Sequence, residues 1–229
     1  MVAVLGVKKG DARWKFDMGG GSLMEMGHAV SLTRYALRAG VPEDVVYARA
    51  TPSNEDLRVD REMKAMLKFD CPDDRDAKEK EKGKGKGASA AVPVYSQIHT
   101  DLCPPWKWHV IPRFWELPSI CVRTERATIY FFNAFLPHLY HFISVTDHTS
   151  GKTIYENVYK GGPIWGDRGE THWSSHRYQL EAVVDRLRGR DPVWWISGEE
   201  SVMEMQTVDW VYKNAKMAMR PKSVSALSE

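Results

Sequence analysis

Residues 19–35 read GGGSLMEMGHAVSLTRY, in which three glycines lead directly into an apolar, helix-like pattern. A dinucleotide site needs G-x-G-x-x-G directly after a buried strand, with an acidic residue about 20 positions later. The preceding residues, KKGDARWKFDM, are polar and aromatic, and no G-x-x-x-x-G-K-[ST] motif occurs in the chain. We therefore interpret Gly19, Gly20 and Gly21 as tight-turn and close-packing residues at the start of a helix.

The helix predicted over residues 22–39 carries an acidic residue on its apolar stripe, which is otherwise formed by Ala29, Leu32 and Ala36. Glu25 is therefore expected to point towards the core, with His28 on its flank. Arg34 and Arg38 are expected on the opposite face. A carboxyl group removed from water can share a proton with an imidazole, so Glu25 and His28 are the candidate acid/base pair. A buried pair that only hydrogen-bonds the sheet fits the same pattern.

The composition is that of a soluble globular protein and predicts one domain over residues 1–229. The chain is 43% hydrophobic and 27% charged, and its net charge of +2 gives no electrostatic case for nucleic acid or a membrane surface. Three cysteines without a C-x-x-C pair, and no apolar run of membrane-spanning length, predict a cytoplasmic protein. Nine Trp, nine Tyr and seven Phe favour a ring-lined cavity or a large interface, although an aromatic core explains them equally well.

Alternating patterns predict antiparallel strands after the first helix. Residues 59–70 predict a half-exposed strand, residues 92–146 are β-like throughout, and residues 152–159 add a short strand. Residues 72–93 mix basic, acidic and glycine residues without an apolar group that could dock, so we expect a flexible charged loop there.

Two helices are predicted in the last third of the chain. In HWSSHRYQLEAVVDRLRGRDP, residues 172–192, an apolar stripe at helical spacing is formed by Leu180, Val183, Val184 and Leu187. In ISGEESVMEMQTVDWVYKNAKM, residues 196–217, Ser197 and Glu200 predict a capping box at the start of the helix.

Four segments, in this order, resemble landmarks of the C-terminal domain in the glucose-fructose oxidoreductase and inositol dehydrogenase family. GGGSLMEMGHAVSLTRY resembles the family pattern G-G-x-L-x-D-x-G-x-H/Y. TIYFFNAFLPHLYHFISV resembles its strand pair with N-x-x-x-P-H-x-Y-H, and is most similar to the xylose and dihydrodiol dehydrogenase branch. HRYQLEAVVDRLRGRDP and SGEESVMEMQTVDWVYKNA resemble the family's last two helices, so the resemblance covers most of the chain.

The resemblance implies an α+β fold with one large, mostly antiparallel open β-sheet and helices packed on one face. In complete members this sheet also forms the dimer contact and the substrate wall, so we expect a homodimer through the sheet. Complete members carry an N-terminal nucleotide-binding domain and a catalytic lysine, and we expect this chain to lack both and to bind no cofactor. Glu25 stands where the family has aspartate, and His28 follows it by three positions instead of four.

The PHLYH segment contributes two candidate substrate-binding residues. On the strand predicted there, His138 and Tyr140 share one face and His141 points to the other. That arrangement argues against a metal site formed by the two histidines.

A second group of candidates begins with His172 and His176, whose i, i+4 spacing is one that metal ligands use. No carboxylate or cysteine accompanies them, so we expect no metal there. We predict instead that both histidines line a substrate pocket together with Trp165 and Tyr178.

Three functions remain open on the sequence. The first is a stand-alone, cofactor-independent enzyme of specialised biosynthesis, which converts an apolar small molecule by isomerisation, elimination or cyclisation in the old substrate cavity. The second is a fragment or subunit of an NAD(P)-dependent sugar or diol dehydrogenase whose nucleotide domain is missing. The third is a non-catalytic binding or scaffold protein built on the sheet.

Overall fold

The computed structural model describes residues 6–71, 92–104, 106, 108, 110–111, 117–166 and 168–220. The charged loop predicted at 72–93 lies outside the described residues over 72–91, while Val92 and Pro93 already belong to a strand. Most of the β-like stretch at 105–116 also lies outside them. Of its described residues, Trp108 and Val110 are in turns.

Four α-helices and seven β-strands occur within the described residues, which confirms the α+β class. In chain order they are α1 (Ser22–Glu25), α2 (His28–Leu37), β1 (Asp44–Pro52), β2 (Asp60–Cys71), β3 (Val92–Asp101), β4 (Ile120–Arg123), β5 (Ala127–Phe132), β6 (Phe142–Asp147), β7 (Thr153–Glu156), α3 (Ser175–Leu187) and α4 (Gly198–Asn214).

The described strands form two antiparallel sheets, where the resemblance implies one large sheet. One sheet has the order β1-β2-β3 and the other has the order β4-β5-β6-β7. The chain divides accordingly into two compact units. The helix-covered unit comprises the described residues of 6–103 and 197–220, and the open-sheet unit comprises those of 104–196. A single folding domain over 1–229 stays a prediction, because this division does not decide whether the two units unfold together.

Helices cover one face of the sheet in the helix-covered unit. Alternate residues of the central strand β2 are fully buried on that face: Met63, Ala65, Leu67 and Phe69. Helices α1, α2 and α4 pack against the sheet, and α4 adds Val208, Val211 and Tyr212 to the same core. Burying a large apolar side chain contributes roughly 1.5–3 kcal/mol to folding, so this face supplies most of the stability of the unit.

The open-sheet unit has a different distribution of apolar side chains. Its strand register places seven of them on one face, which we call the aliphatic face: Ile120, Val122, Ile129, Phe131, Ile143, Val145 and Ile154. None of the seven is buried, and Ile129 and Ile154 are 38% and 54% exposed. Among the described residues of this unit, Ala182 is the only buried apolar side chain.

The helix predicted over 22–39 is interrupted between α1 and α2, so its stripe does not form one continuous surface. Glu25 is exposed at the end of α1, which corrects the expectation that it points towards the core. Arg34, expected on the outer face, is buried. Its guanidinium donates hydrogen bonds to the carbonyl oxygens of Gly40 and Glu200, both at 2.9 Å, and thereby joins α2 to α4.

Helix α3 forms where it was predicted, but it buries a different face. Three residues of the predicted stripe are exposed, namely Leu180, Val183 and Leu187. The buried residues of α3 are Ala182 and Asp185. Asp185 accepts hydrogen bonds from Arg168 and Arg190, both at 2.9 Å, and the bond from Arg168 is the main cause that lowers the pKa of Asp185. Ion pairs therefore orient α3 where an apolar stripe was expected to do so.

Candidate functional site

A buried carboxylate lies next to the segment that begins with the three glycines. Asp60, at the start of β2, is fully buried. It accepts hydrogen bonds from Ser22 Oγ at 2.6 Å, from the Leu23 N–H at 2.9 Å and from Tyr212 Oη at 2.6 Å. Burial, followed by the charge of Asp60, raises the pKa of Tyr212, so the phenol remains a proton donor. The network connects α1, β2 and α4.

The glycines allow the backbone to approach this network closely. Gly21 has a φ of 139°, and a Cβ there would clash with Asp60 Oδ1 and lie 2.8 Å from Tyr212 Oη. A Cβ on Gly20 would lie 2.5 Å from the carbonyl oxygen of Arg13. Neither position has room for a side chain, which confirms that these glycines serve turn geometry and close packing.

The candidate acid/base pair lies in the helix-covered unit, but not in the arrangement that was predicted. Glu25 is the last residue of α1 and is exposed, while His28 is the first residue of α2 and is half-buried. Burial lowers the pKa of His28, which favours its neutral imidazole. The break between the helices removes the shared face on which the pairing depended. A catalytic role for Glu25 and His28 stays a prediction.

The PHLYH segment forms turns between β5 and β6, so the strand predicted there is wrong. Tyr140 is exposed, and Nδ1 of His138 is buried without a hydrogen-bond partner among the described residues. His141 is fully buried: its Nε2 accepts from the Val158 N–H at 2.9 Å, and its Nδ1 donates to the carbonyl oxygen of Pro137 at 2.6 Å. Both ring nitrogens of His141 are used, so this histidine is structural.

Trp165 and Tyr178, two predicted pocket residues, pack in a small aromatic cluster with Trp173. The Tyr178 ring centroid lies 4.8 Å from that of Trp165 and 5.2 Å from that of Trp173, with the rings edge-on in both pairs. Two glycines bring backbone atoms onto these rings. A Cβ on Gly161 would lie 2.6 Å from Trp165 Cδ1, and a Cβ on Gly169 would lie 2.5 Å from Tyr178 Oη. Protein atoms therefore fill the interior of the cluster.

An open cleft of about 410 Å³ lies at the edge of this cluster, lined by His172, Trp173, Ser174 and Arg177. It is at the N-terminus of α3, where Ser174 Oγ accepts a hydrogen bond from the Arg177 N–H at 3.3 Å. The Arg177 guanidinium carbon lies 4.9 Å from the Trp173 ring centroid and its Nη2 is paired with Glu181 at 2.6 Å. The first turn of α3 has no acidic residue. The cleft thus combines an indole, an imidazole and the positive end of a helix.

The structure brings some of the predicted site residues together and not others. Trp165 and Tyr178 are in contact, and His172 lines the cleft beside their cluster. His176 is exposed in the first turn of α3, whereas His172 precedes the helix, so their i, i+4 spacing is not a helical one. Glu25 belongs to the other unit.

Sequence reasoning missed two sets of residues. Trp173 and Arg177 were not predicted as site residues. The sequence does show a tryptophan directly before the N-cap Ser174 and a basic residue in the first turn, which is a pattern that could have indicated them. The second set lies in the helix-covered unit, where ligand atoms of Glu62, His99 and Asp101 all lie within 4.8 Å of one another. Its signal was His-x-Asp on a strand, which places both side chains on one face.

No protein-family model matches this chain, and no curated protein matches it significantly. Among the helices of the described residues, none has the length and apolar character needed to cross a membrane. The family resemblance therefore rests on the sequence motifs alone.

Proposed function

We propose that this chain is a stand-alone enzyme that converts an apolar small molecule without a nucleotide cofactor, and that the cleft at the start of α3 holds the substrate. The observation that carries the proposal is the grouping of His172, Trp173 and Arg177 around an open cleft of about 410 Å³. Small-molecule sites have volumes of about 300–1,000 Å³ and combine apolar rings with a few polar groups. The lack of both common phosphate-binding motifs in the sequence supports cofactor independence.

The lining of the cleft limits the chemistry of the substrate. The indole of Trp173 offers an apolar face for a ring system. Arg177 and the positive end of the α3 helix dipole favour an oxygen that carries negative charge or acquires it during the reaction. The substrate class that fits is therefore an apolar ring system with a carbonyl or carboxylate group.

His172 is the group in this cleft that can both accept and donate a proton. In an isomerisation or elimination next to a carbonyl, it would remove a proton from carbon and return a proton to the product or to the leaving group. Arg177 and the helix N-terminus would stabilise the enolate oxygen formed between the two steps. No electron is gained or lost overall, so such a reaction needs no redox cofactor.

Binding of 2-naphthoate, an apolar ring system with a carboxylate, tests the cleft before a substrate is known. We expect NMR titration of the full chain to shift the Trp173 indole and Arg177 amide signals. Trp173→Ala should raise the Kd about fivefold, because the ring stacking is worth about 1 kcal/mol.

Trp195→Ala is the matched control, since the Arg186 guanidinium carbon likewise lies over this tryptophan, 5.3 Å from its ring centroid, and Trp195 is outside the cleft lining. An equal loss of binding in both variants would contradict the proposed site.

Titration with NADH and NADPH tests the dehydrogenase alternative, and tight saturable binding of either would contradict the proposed cofactor independence.

A non-catalytic scaffold protein is the second candidate, and the partly exposed aliphatic face of the open-sheet unit favours it. Contiguous apolar surface of this kind is typical of protein contacts. The occupant that we propose for this face is a second copy of the chain, because the resembled family dimerises through its sheet and a two-fold contact uses one face twice.

Adjacent residues of β7 provide a sharp test of this dimer. Ile154 belongs to the aliphatic face, and Tyr155 points to the opposite face while being 68% exposed. Light scattering should find a dimer for the unmodified chain and for Tyr155→Glu, and a monomer for Ile154→Glu. A monomer in all three samples would contradict dimerisation.

A further inference from the structure

The outer face of the three-stranded sheet carries three potential metal ligands that the proposed function does not use. Glu62 of β2 lies directly opposite Asp101 of β3 in the strand register, and His99 precedes Asp101 by two residues. All three side chains therefore project from the same face. One ligand atom of each residue lies within 4.8 Å of the other two. Two residues of one strand and one residue of its neighbour thus converge above the sheet.

Hydrogen bonds from neighbouring groups orient both carboxylates. The Thr51 hydroxyl donates to Glu62 Oε2 at 3.0 Å, and the Cys103 N–H donates to Asp101 Oδ1 at 2.8 Å. Glu62 Oε1 lies 2.9 Å from His99 Nε2. Outer contacts of this type hold metal ligands in a fixed orientation. The remaining oxygen of each carboxylate can therefore face a shared ion together with the imidazole.

A lysine forms an ion pair with one of these carboxylate oxygens, Oε1 of Glu62. Lys64 Nζ lies 2.7 Å from Glu62 Oε1, and its side chain is 47% exposed. Because the lysine end of this ion pair is the exposed one, while the Glu62 side chain is 17% exposed, the ammonium group can turn towards solvent when a cation arrives. Lys64 therefore weakens cation binding without preventing it.

We propose that Glu62, His99 and Asp101 bind a divalent transition-metal ion of the zinc class. One imidazole nitrogen and two carboxylate oxygens are ligands that Zn²⁺ and Co²⁺ accept. Three protein ligands leave a further coordination position for water. The site belongs to the helix-covered unit, whereas the cleft belongs to the open-sheet unit. The metal-site proposal can therefore be tested independently of the proposed function.

Titration of the full chain with Zn²⁺ in a calorimeter, after removal of bound metal by a chelator, tests the proposal. We expect saturable binding of one ion. His99→Gln and Asp101→Asn should each weaken it at least tenfold, and Thr51→Val should weaken it about tenfold through loss of the orienting hydrogen bond. Lys64→Met should tighten it by up to about fivefold, because a competing ion pair is removed.

Two controls separate this site from other binding. His148→Gln removes an exposed histidine outside the site and should leave Zn²⁺ affinity unchanged. A Co²⁺ absorption spectrum should lack a sulfur-to-cobalt charge-transfer band. The proposal is overturned by a lack of saturable binding, by binding that tolerates His99→Gln and Asp101→Asn, or by a cobalt spectrum that shows thiolate coordination.

Discussion

In the helix-covered unit, the central strand β2 buries Met63, Leu67 and Phe69 beneath three helices, whereas in the open-sheet unit the central strand β5 leaves Ile129 38% exposed. Both strands pair on two sides, and in both strands successive side chains point to opposite faces of the sheet. The difference lies in what covers the sheet. Alternation specifies which side chains share a face, but a second layer is needed to remove that face from water.

This contrast predicts which unit tolerates substitution. In the helix-covered unit, side chains are closely packed and a lost methyl group leaves a cavity. In the open-sheet unit, water already contacts the aliphatic face, so truncation there costs little unless another copy of the chain covers it. Both proposed functions concern the open-sheet unit, which contains the cleft and the aliphatic face.

Matched truncations on the two central strands should give the largest difference. We expect Leu67→Ala to reduce the free energy of unfolding by about 2–5 kcal/mol, because it creates a cavity in a fully packed core. At a concentration where the chain is monomeric, Ile129→Ala should cost less than about 1 kcal/mol. Equilibrium unfolding in urea measures both values, and equal losses for the monomer would contradict the contrast between the two units.

The glycine segment offers a second test of close packing in the helix-covered unit. Gly21→Ala should cost roughly 3 kcal/mol, because it combines an unfavourable backbone conformation with a clash against Asp60. Gly19 has a φ of 75° but open space where its Cβ would be. Gly19→Ala should therefore cost only the smaller backbone term, about 1 kcal/mol. Similar losses for both variants would show that the clash is relieved by a small backbone shift.

The buried phenol in the same core should make stability depend on alkaline pH. The pKa of Tyr212 in the folded protein is raised above its ordinary value of 10.0, so above pH 10 the unfolded chain loses this proton while the folded protein keeps it. The contribution of Tyr212 to the free energy of unfolding is therefore complete below pH 10 and is lost as pH rises further. Between pH 10 and 11, Tyr212→Phe should reduce the slope of unfolding free energy against pH by about 1 kcal/mol per unit, since the unfolded tyrosine is only partly ionised at the start of this range. An unchanged slope in urea titrations would contradict this linkage.

The smallest effect is expected at an exposed position of the otherwise well-packed unit. Glu25→Gln should change the free energy of unfolding by less than about 0.5 kcal/mol, because Glu25 is exposed at the end of α1. Thermal unfolding of the two proteins at pH 7 measures it. Once a substrate is known, a turnover about a hundredfold lower in this variant would support the predicted acid/base role of Glu25.

Local patterns predicted some regular elements correctly, but no strand was predicted at the position of β1, Asp44–Pro52. The strand predicted at 59–70 corresponds to β2, and the capping box of Ser197 and Glu200 is confirmed at the start of α4. Alternation and capping act over a few residues, so the sequence contains them directly.

Predictions that depended on the surroundings of an element were less successful. The apolar stripe of α3 is exposed because the ion pairs of Asp185 set its orientation. PHLYH alternates like a strand, but Asn133 donates hydrogen bonds to the carbonyl oxygens of Leu136 and Tyr140 and holds it in turns. The cleft was found only in part, since its lining combines residues before α3 with residues of its first turn.

Native-state hydrogen exchange on the full chain, at a concentration where it is monomeric, tests the contrast between the two units most directly. We expect the amides of β2 and β3 to exchange last, and those of β5 and β6 to exchange through openings that cost at least about 2 kcal/mol less. Such a result would mean that the helix-covered unit stays folded while the open-sheet unit opens. Exchange of both sheets in one cooperative step, with equal protection, would contradict the contrast and would support a single domain over 1–229.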